Sequence, residues 1–132
     1  MGISSDGLMI KDNKVLLVKR ARYKAKYFGC WTVPGGGMES GETPEENVIR
    51  EVKEETNLDY KPTQLFKKVD KGEKNGRPRI QYCFIGEFSG EIKLQEEEAT
   101  DYGWFTYEET KNLKLAFNFE DILEELNKKG YF

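Results

Sequence analysis

The chain has 132 residues, of which 37% are apolar and 34% charged, and this suits one domain built round one core over residues 1–132. No apolar run reaches the length of a membrane span and the N-terminus carries no signal-peptide core, so the expected compartment is the cytoplasm. The complete absence of His excludes His-based acid–base chemistry and disfavours a zinc site, and the net charge of −3 argues against stable nucleic-acid binding.

The pattern from Ile3 to Ile10 predicts a first strand. Asp12-Asn13 marks a tight turn, and the apolar run Val15-Leu16-Leu17-Val18 predicts a buried second strand. The segment after it is basic. Lys24 and Lys26 read as a solvated loop, whereas Arg20 and Arg22, at a strand end, suit two-pronged contact with phosphate oxygens. Cys30 and Cys83 are widely spaced and sit in apolar runs, so both read as free, buried thiols. Trp31-Thr32-Val33-Pro34 reads as a short strand, with Trp31 a core residue rather than a substrate platform. It leads into Gly35-Gly36-Gly37, a glycine loop that lets backbone approach a ligand closely.

A helix follows. Thr43 suits the N-cap, Pro44 the first helical position, and Glu46 completes a capping box. Val48, Ile49 and Val52 are its expected apolar face, and Asn57 its left-handed end. Glu51, Glu54 and Glu55 are spaced to project from one side, where like charges repel by a few tenths of a kcal/mol per pair unless a cation sits among them. Hard oxygen donors select Mg²⁺ or Mn²⁺; the competing reading of the spacing alone is a solvated acidic face.

Further on, Pro62 to Val69 and Ile80 to Phe88 read as strands, joined by a long polar loop from Asp70 to Pro78 with a turn at Asn75-Gly76. Arg79 and Gln81 fit either a substrate face or an exposed strand face. A short extended piece is expected at Glu91 to Leu94, then an acidic loop at Glu96-Glu97-Glu98 and a strand with Trp104-Phe105. Tyr107 to Lys111 suggests a short helix. Phe117, Phe119, Ile122, Leu123 and Leu126 line one side of a C-terminal helix beginning near Glu120, with Asn118 as its N-cap.

The stretch from Gly36 to Leu58 resembles the Nudix box, Gly-x5-Glu-x7-Arg-Glu-U-x-Glu-Glu-x-Gly-U, where U is a bulky aliphatic residue. Gly36, Glu42, Arg50, Glu51, Val52, Glu54, Glu55 and Leu58 match, and the departure is Asn57 in place of Gly. Asn tolerates positive φ, so the helix end is preserved. The resemblance implies a Nudix-type fold of the α/β (α+β) class, an α/β/α sandwich with a mixed, curled β-sheet between helices. It implies a MutT-like pyrophosphohydrolase that uses Mg²⁺ or Mn²⁺ to cleave a nucleoside diphosphate linked to another moiety. The ligands implied are Glu51, Glu54, Glu55 and the Gly35 carbonyl, with Arg50 and Glu42 as a supporting pair. Glu97 is the counterpart of a further ligand and Glu98 of a general base, although the register leaves the choice among Glu96, Glu97 and Glu98 open. Asn118 is placed where some triphosphate-cleaving members read the base.

For the other moiety, the Tyr of dinucleoside polyphosphate cleavers has no counterpart between Lys71 and Asn75, and Pro78 lies too far on to match the Pro of ADP-ribose cleavers. The expectation is therefore a nucleoside triphosphate, possibly oxidised, cleaved to monophosphate and pyrophosphate, with ADP-ribose or a dinucleoside polyphosphate as the alternative. A non-catalytic nucleotide sensor competes with the enzyme reading, but sensors usually lose box carboxylates and this chain keeps all of them. The expected partner is a small nucleotide, with the protein a monomer or homodimer.

Overall fold

The computed structural model describes residues 2–22 and 25–132, so Lys24 lies outside the described residues. Its elements are mixed, as the expected α+β class requires. Eight strands, β1 (Ile3–Leu8), β2 (Ile10–Lys11), β3 (Lys14–Arg20), β4 (Trp31–Thr32), β5 (Gly35–Gly37), β6 (Asp59–Lys74), β7 (Arg77–Ser89) and β8 (Ala99–Phe105), accompany three helices, α1 (Pro44–Thr56), α2 (Tyr107–Thr110) and α3 (Phe119–Lys128). By contact the chain divides into two compact units, Met1–Met9 with Pro34–Lys93, and Ile10–Val33 with Leu94–Phe132.

The first unit holds the sheet β5-β1-β7-β6 and helix α1. β1 runs parallel to β7, while β5 against β1 and β6 against β7 are antiparallel. Val48 and Val52 of α1 are fully buried, as is Leu8 of β1. Gly7 has no room for a side chain: a Cβ there would lie 2.9 Å from Val52 and 3.2 Å from the Tyr60 ring. Tyr60 closes this core with its hydroxyl donating to the carbonyl oxygens of Leu8 and Phe84, each at 3.2 Å.

The β6–β7 hairpin differs from its sequence reading. In place of a long loop from Asp70 to Pro78, the ladder continues to Lys74↔Arg77 and turns in two residues, Asn75 (φ 54) and Gly76 (φ 74). Two left-handed residues make the turn whose twist matches the flanking strands. Residues 71–79 are all exposed, so no alternation of apolar side chains marks them as strand; backbone pairing alone holds them. A register shift between Asp70 and Glu73, with Gly72 at φ 81, is the bulge that absorbs the irregular spacing. Glu91 to Leu94, expected to be extended, forms no strand.

The second unit holds β3 at the centre of its sheet, paired with β2, β4 and β8. Val15, Leu16 and Leu17 are fully buried and Val18 is 3% exposed, the continuous burial expected of a central strand covered on both faces. Asp12 (φ 51) and Asn13 (φ 62) make the turn between β2 and β3. Helix α3 buries Phe119, Ile122, Leu123 and Leu126, but Phe117, assigned to the same stripe, is 48% exposed because it precedes the helix in a left-handed conformation (φ 54). Cys30 and Cys83 are both buried, and both are free thiols.

Candidate active site

Helix α1 begins and ends as its local sequence dictates. The Thr43 hydroxyl accepts from the Glu46 amide at 3.1 Å, and the Glu46 carboxylate accepts from the Thr43 amide at 2.9 Å. Asn57 sits at φ 68 and its amide bonds to the Lys53 carbonyl at 2.9 Å. The buried face, however, is Asn47, Val48, Val52 and Thr56, while Ile49 is 42% exposed. Hydrophobicity alone selects Ile49 and passes over two polar residues. Both are buried with their donors used: Asn47 Nδ2 donates to the Gly37 carbonyl at 3.1 Å, and Thr56 Oγ1 to the Val52 carbonyl at 2.7 Å.

The opposite face of α1 is organised by Arg50. Its Nε and Nη2 grip the two Glu42 oxygens at 2.7 and 3.0 Å, a fork-on-carboxylate pair. Its Nη1 donates to Glu51 at 3.0 Å and to Glu54 at 3.1 Å, and its Nη2 also reaches the Gly37 carbonyl at 2.9 Å. The Arg50 hydrogen bonds, with a further bond from the Glu39 amide, hold the Glu42 carboxyl below the usual range; the same carboxylates push Arg50 up. One guanidinium thus fixes the rotamers of three glutamates and ties them to the glycine segment.

That segment is a strand, where a loop was expected. Gly35, Gly36 and Gly37 pair antiparallel with Asp6, Ser5 and Ser4. The glycines answer to close approach on both faces. A Cβ on Gly36 would stand 2.6 Å from the Glu51 carboxylate, and one on Gly35 would collide with the Asp6 carboxylate and the Ser5 carbonyl. The Gly35 amide donates to Glu55 at 3.1 Å. Glu51, Glu54, Glu55 and Gly35 are therefore brought together, in one compact unit. Among the described residues no three acidic side chains converge at metal-ligand distance, and Arg50 Nη1 lies between Glu51 and Glu54. The donor set nonetheless fits a hard divalent cation: carboxylate oxygens on successive turns of one helix, facing a strand stripped of side chains.

Asp6 went unremarked in the sequence, although a carboxylate interrupting a strand is a readable signal. It is 8% exposed, and Gln81 Nε2 donates to its Oδ2 at 2.9 Å. Burial lifts its pKa from 3.8 to about 7, against the lowering effects of Gln81 and Lys71, with Glu51 adding to the rise. Gln81 is 3% exposed, so the exposed strand face does not describe it. Arg79 is exposed and donates to the Lys71 carbonyl at 2.9 Å.

The remaining expected site residues all lie in the second unit. The Arg20 guanidinium stands 5.0 Å over the Phe117 ring. Arg22 and Glu98, expected to serve phosphate and proton transfer, pair with each other at 2.8 Å on an exposed surface. Glu96 and Glu97 are exposed in a turn, and Lys26 is exposed. Asn118 occupies the N-cap position of α3 but makes no capping bond, its φ and ψ of −103° and 19° being unsuited to one. Trp31 is half-buried and meets Phe105 edge-on at 5.1 Å.

Comparison with known proteins bears on this arrangement. The NUDIX domain model matches residues 3–126. An ADP-ribose pyrophosphatase of Methanocaldococcus jannaschii is 39% identical over 126 residues, covering 93% of this chain and 71% of its own length. A putative ADP-ribose pyrophosphatase of Bacillus subtilis is 34% identical over 101 residues, 70% of this chain and 46% of the relative. Among solved structures, a MutT NUDIX hydrolase from Burkholderia pseudomallei superposes with a TM-score of 0.81 at 28% identity, covering 94% of this chain and 96% of that one.

Proposed function

This chain belongs to the Nudix family of pyrophosphohydrolases, and we propose that it hydrolyses a nucleoside diphosphate joined to a sugar, with ADP-ribose as the representative substrate. The observation that carries the hydrolytic reading is the lattice in which Arg50 bonds Glu42, Glu51, Glu54 and the Gly37 carbonyl at once. Such a lattice holds several carboxylates in fixed orientation, the arrangement that supports metal ligands from behind. Glu51, Glu54, Glu55 and the Gly35 carbonyl would hold Mg²⁺ or Mn²⁺. A divalent cation bound there supplies charge neutralisation at the diphosphate oxygens and acidifies water.

The chain's own part is positional. Arg50 sets the carboxylate rotamers, and the glycine strand admits them without a clash. Water adds across the anhydride and one P–O bond breaks, giving a nucleoside monophosphate and a sugar phosphate. The identity to the archaeal relative favours the ADP-ribose class. The MutT structure favours a second reading, a nucleoside triphosphate cleaved to monophosphate and pyrophosphate. We also propose phosphate contact for Arg20 and Arg22, a metal-ligand role for Glu97, proton transfer for Glu98 and base contact for Asn118, each checked by the effect of its Ala substitution on kcat/KM.

A panel of ADP-ribose, nucleoside triphosphates and dinucleoside polyphosphates, each with Mg²⁺ or Mn²⁺, decides between them. We expect ADP-ribose to give the highest kcat/KM. A triphosphate ranking first would install the second reading, and tight nucleotide binding without turnover of any compound would make the protein a sensor.

A further inference from the structure

The tip of the β6–β7 hairpin carries a basic cleft that the box does not use. It is open, about 620 Å³ in volume, and its described lining is Gly2, Lys74, Asn75, Arg77 and Arg79. Register puts the cations on one side of the hairpin. Lys74 pairs directly with Arg77 across the Asn75-Gly76 turn, and Arg79 lies two residues further along β7, on the same face. Gly2 adjoins them from β1, its carbonyl accepting from the Ile80 amide at 2.9 Å. A Cβ on Gly2 would collide with the Pro78 carbonyl, so no side chain fills the cleft from that strand.

These charges go unanswered within the fold. Like charges directly opposite on paired strands destabilise a hairpin. Among the described residues neither the Lys74 nor the Arg77 side chain has an ion pair or hydrogen bond. The acids of the hairpin are turned elsewhere: Asp70 Oδ1 accepts from the Gly72 amide at 2.9 Å, and Glu73, the register partner of Pro78, falls on the opposite face. Other exposed cations do find carboxylates, as in Lys53–Asp59, Lys111–Glu108 and Lys128–Glu124. The net charge of the chain is −3, so this excess of cations is local. Arg79 spends Nη2 on the Lys71 carbonyl at 2.9 Å, which anchors its guanidinium beside the other two heads.

We propose that the hairpin cleft binds a linear oligophosphate, three or more phosphates joined by anhydride bonds, by charge and without a metal ion. Arg77 and Arg79 stand roughly 7 Å apart along the strand, wider than one phosphate, so the cationic heads suit linked phosphates. No described lining residue is aromatic, so nothing in the cleft stacks a base. A nucleic-acid strand brings one charge per nucleotide, whereas an oligophosphate brings a charge or more on every phosphorus into the same volume. The cleft is also apart from the box. Gly2 stands three residues before Ser5, the partner of Gly36, and Gly36 lies against Glu51. Three residues of strand are roughly 10 Å.

Calorimetry on the intact protein in EDTA reads the cleft alone, because the bare carboxylates of the box repel phosphate. The probes are tripolyphosphate, inorganic phosphate and a single-stranded oligouridylate. The parent should bind tripolyphosphate more tightly than phosphate, and less tightly as salt rises. Arg77→Ala should weaken tripolyphosphate by about 10- to 100-fold, the loss of one charged hydrogen bond, and leave Mg²⁺-dependent ADP-ribose hydrolysis unchanged. A parent that binds no tripolyphosphate overturns the proposal, and that measurement needs no variant to fold. So does an Arg77→Ala protein that binds tripolyphosphate as tightly as the parent. Oligouridylate bound more tightly than tripolyphosphate would make the cleft a nucleic-acid surface instead. An equal fall in kcat/KM for ADP-ribose would merge the cleft with the substrate site, and either result removes the separate oligophosphate site.

Discussion

Two groups of three glutamates differ in how the fold holds their side chains. Glu51, Glu54 and Glu55 lie on α1, and Glu96, Glu97 and Glu98 lie in a turn before β8. Charge density along the chain is higher in the turn. On the helix, three- and four-residue spacing turns the side chains the same way, and Arg50 and the Gly35 amide fix them at 3.0, 3.1 and 3.1 Å. In the turn, Glu98 meets Arg22 on an exposed surface and Glu96 and Glu97 remain solvent-facing. Convergence on shared partners, more than a run of like charges, marks the candidate site.

The largest effect should come from breaking the helical group. Glu54→Gln keeps size and loses charge, and a kcat lower by about 10²- to 10³-fold is expected. The same variant should gain less melting temperature from added Mg²⁺ than the parent, because only a species that binds the folded state stabilises it. Full activity together with an unaltered Mg²⁺ shift would reduce the group to a solvated helix face.

Arg50→Lys comes next. Lysine keeps the charge but cannot reproduce the fork on Glu42 together with the reach to Glu51, Glu54 and Gly37. With Arg50 24% exposed on its side chain, a stability loss of about 1–2 kcal/mol is expected in urea unfolding. A midpoint equal to that of the parent would mean the lattice orients nothing.

The titrations sharpen the contrast within the first unit, because two carboxylates act with opposite signs. Glu42 is held low by Arg50, so its contribution is present in full above the ordinary carboxylate pKa of 4.5 and is lost as pH falls through its lowered value. Arg50→Lys should flatten that acid limb. Asp6 is raised from 3.8 to about 7, so the folded state holds its proton more tightly than the unfolded chain does. Stability should therefore decline as pH rises from about 4 to about 7, and Asp6→Asn should remove this slope. Melting temperatures from pH 3 to pH 8 on the three proteins would check both signs, and identical curves would discard them.

The smallest effect belongs to the turn. The Arg22–Glu98 pair has side chains 66% and 42% exposed, and Glu98→Gln should change stability by less than about 1 kcal/mol. A loss approaching that of Arg50→Lys would erase the distinction between the two glutamate groups.

The sequence by itself determined the parts whose physics is local. Thr43, Pro44, Glu46 and Asn57 set the limits of α1 through hydrogen bonds spanning four residues or fewer, and helical spacing aligned Glu51, Glu54 and Glu55. The apolar run Val15–Val18 announced a buried strand, because burial on both faces needs no alternation. Only the tertiary structure decided which polar residues go inside. Asn47, Thr56 and Gln81 are buried since their donors find partners at Gly37, Val52 and Asp6, and no pattern of hydrophobicity encodes a partner up to 75 residues away. It also decided that Gly35–Gly37 is a strand, since three glycines carry no side-chain preference and take their shape from β1 on one edge and from the carboxylates of Asp6 and Glu51 pressing on their faces.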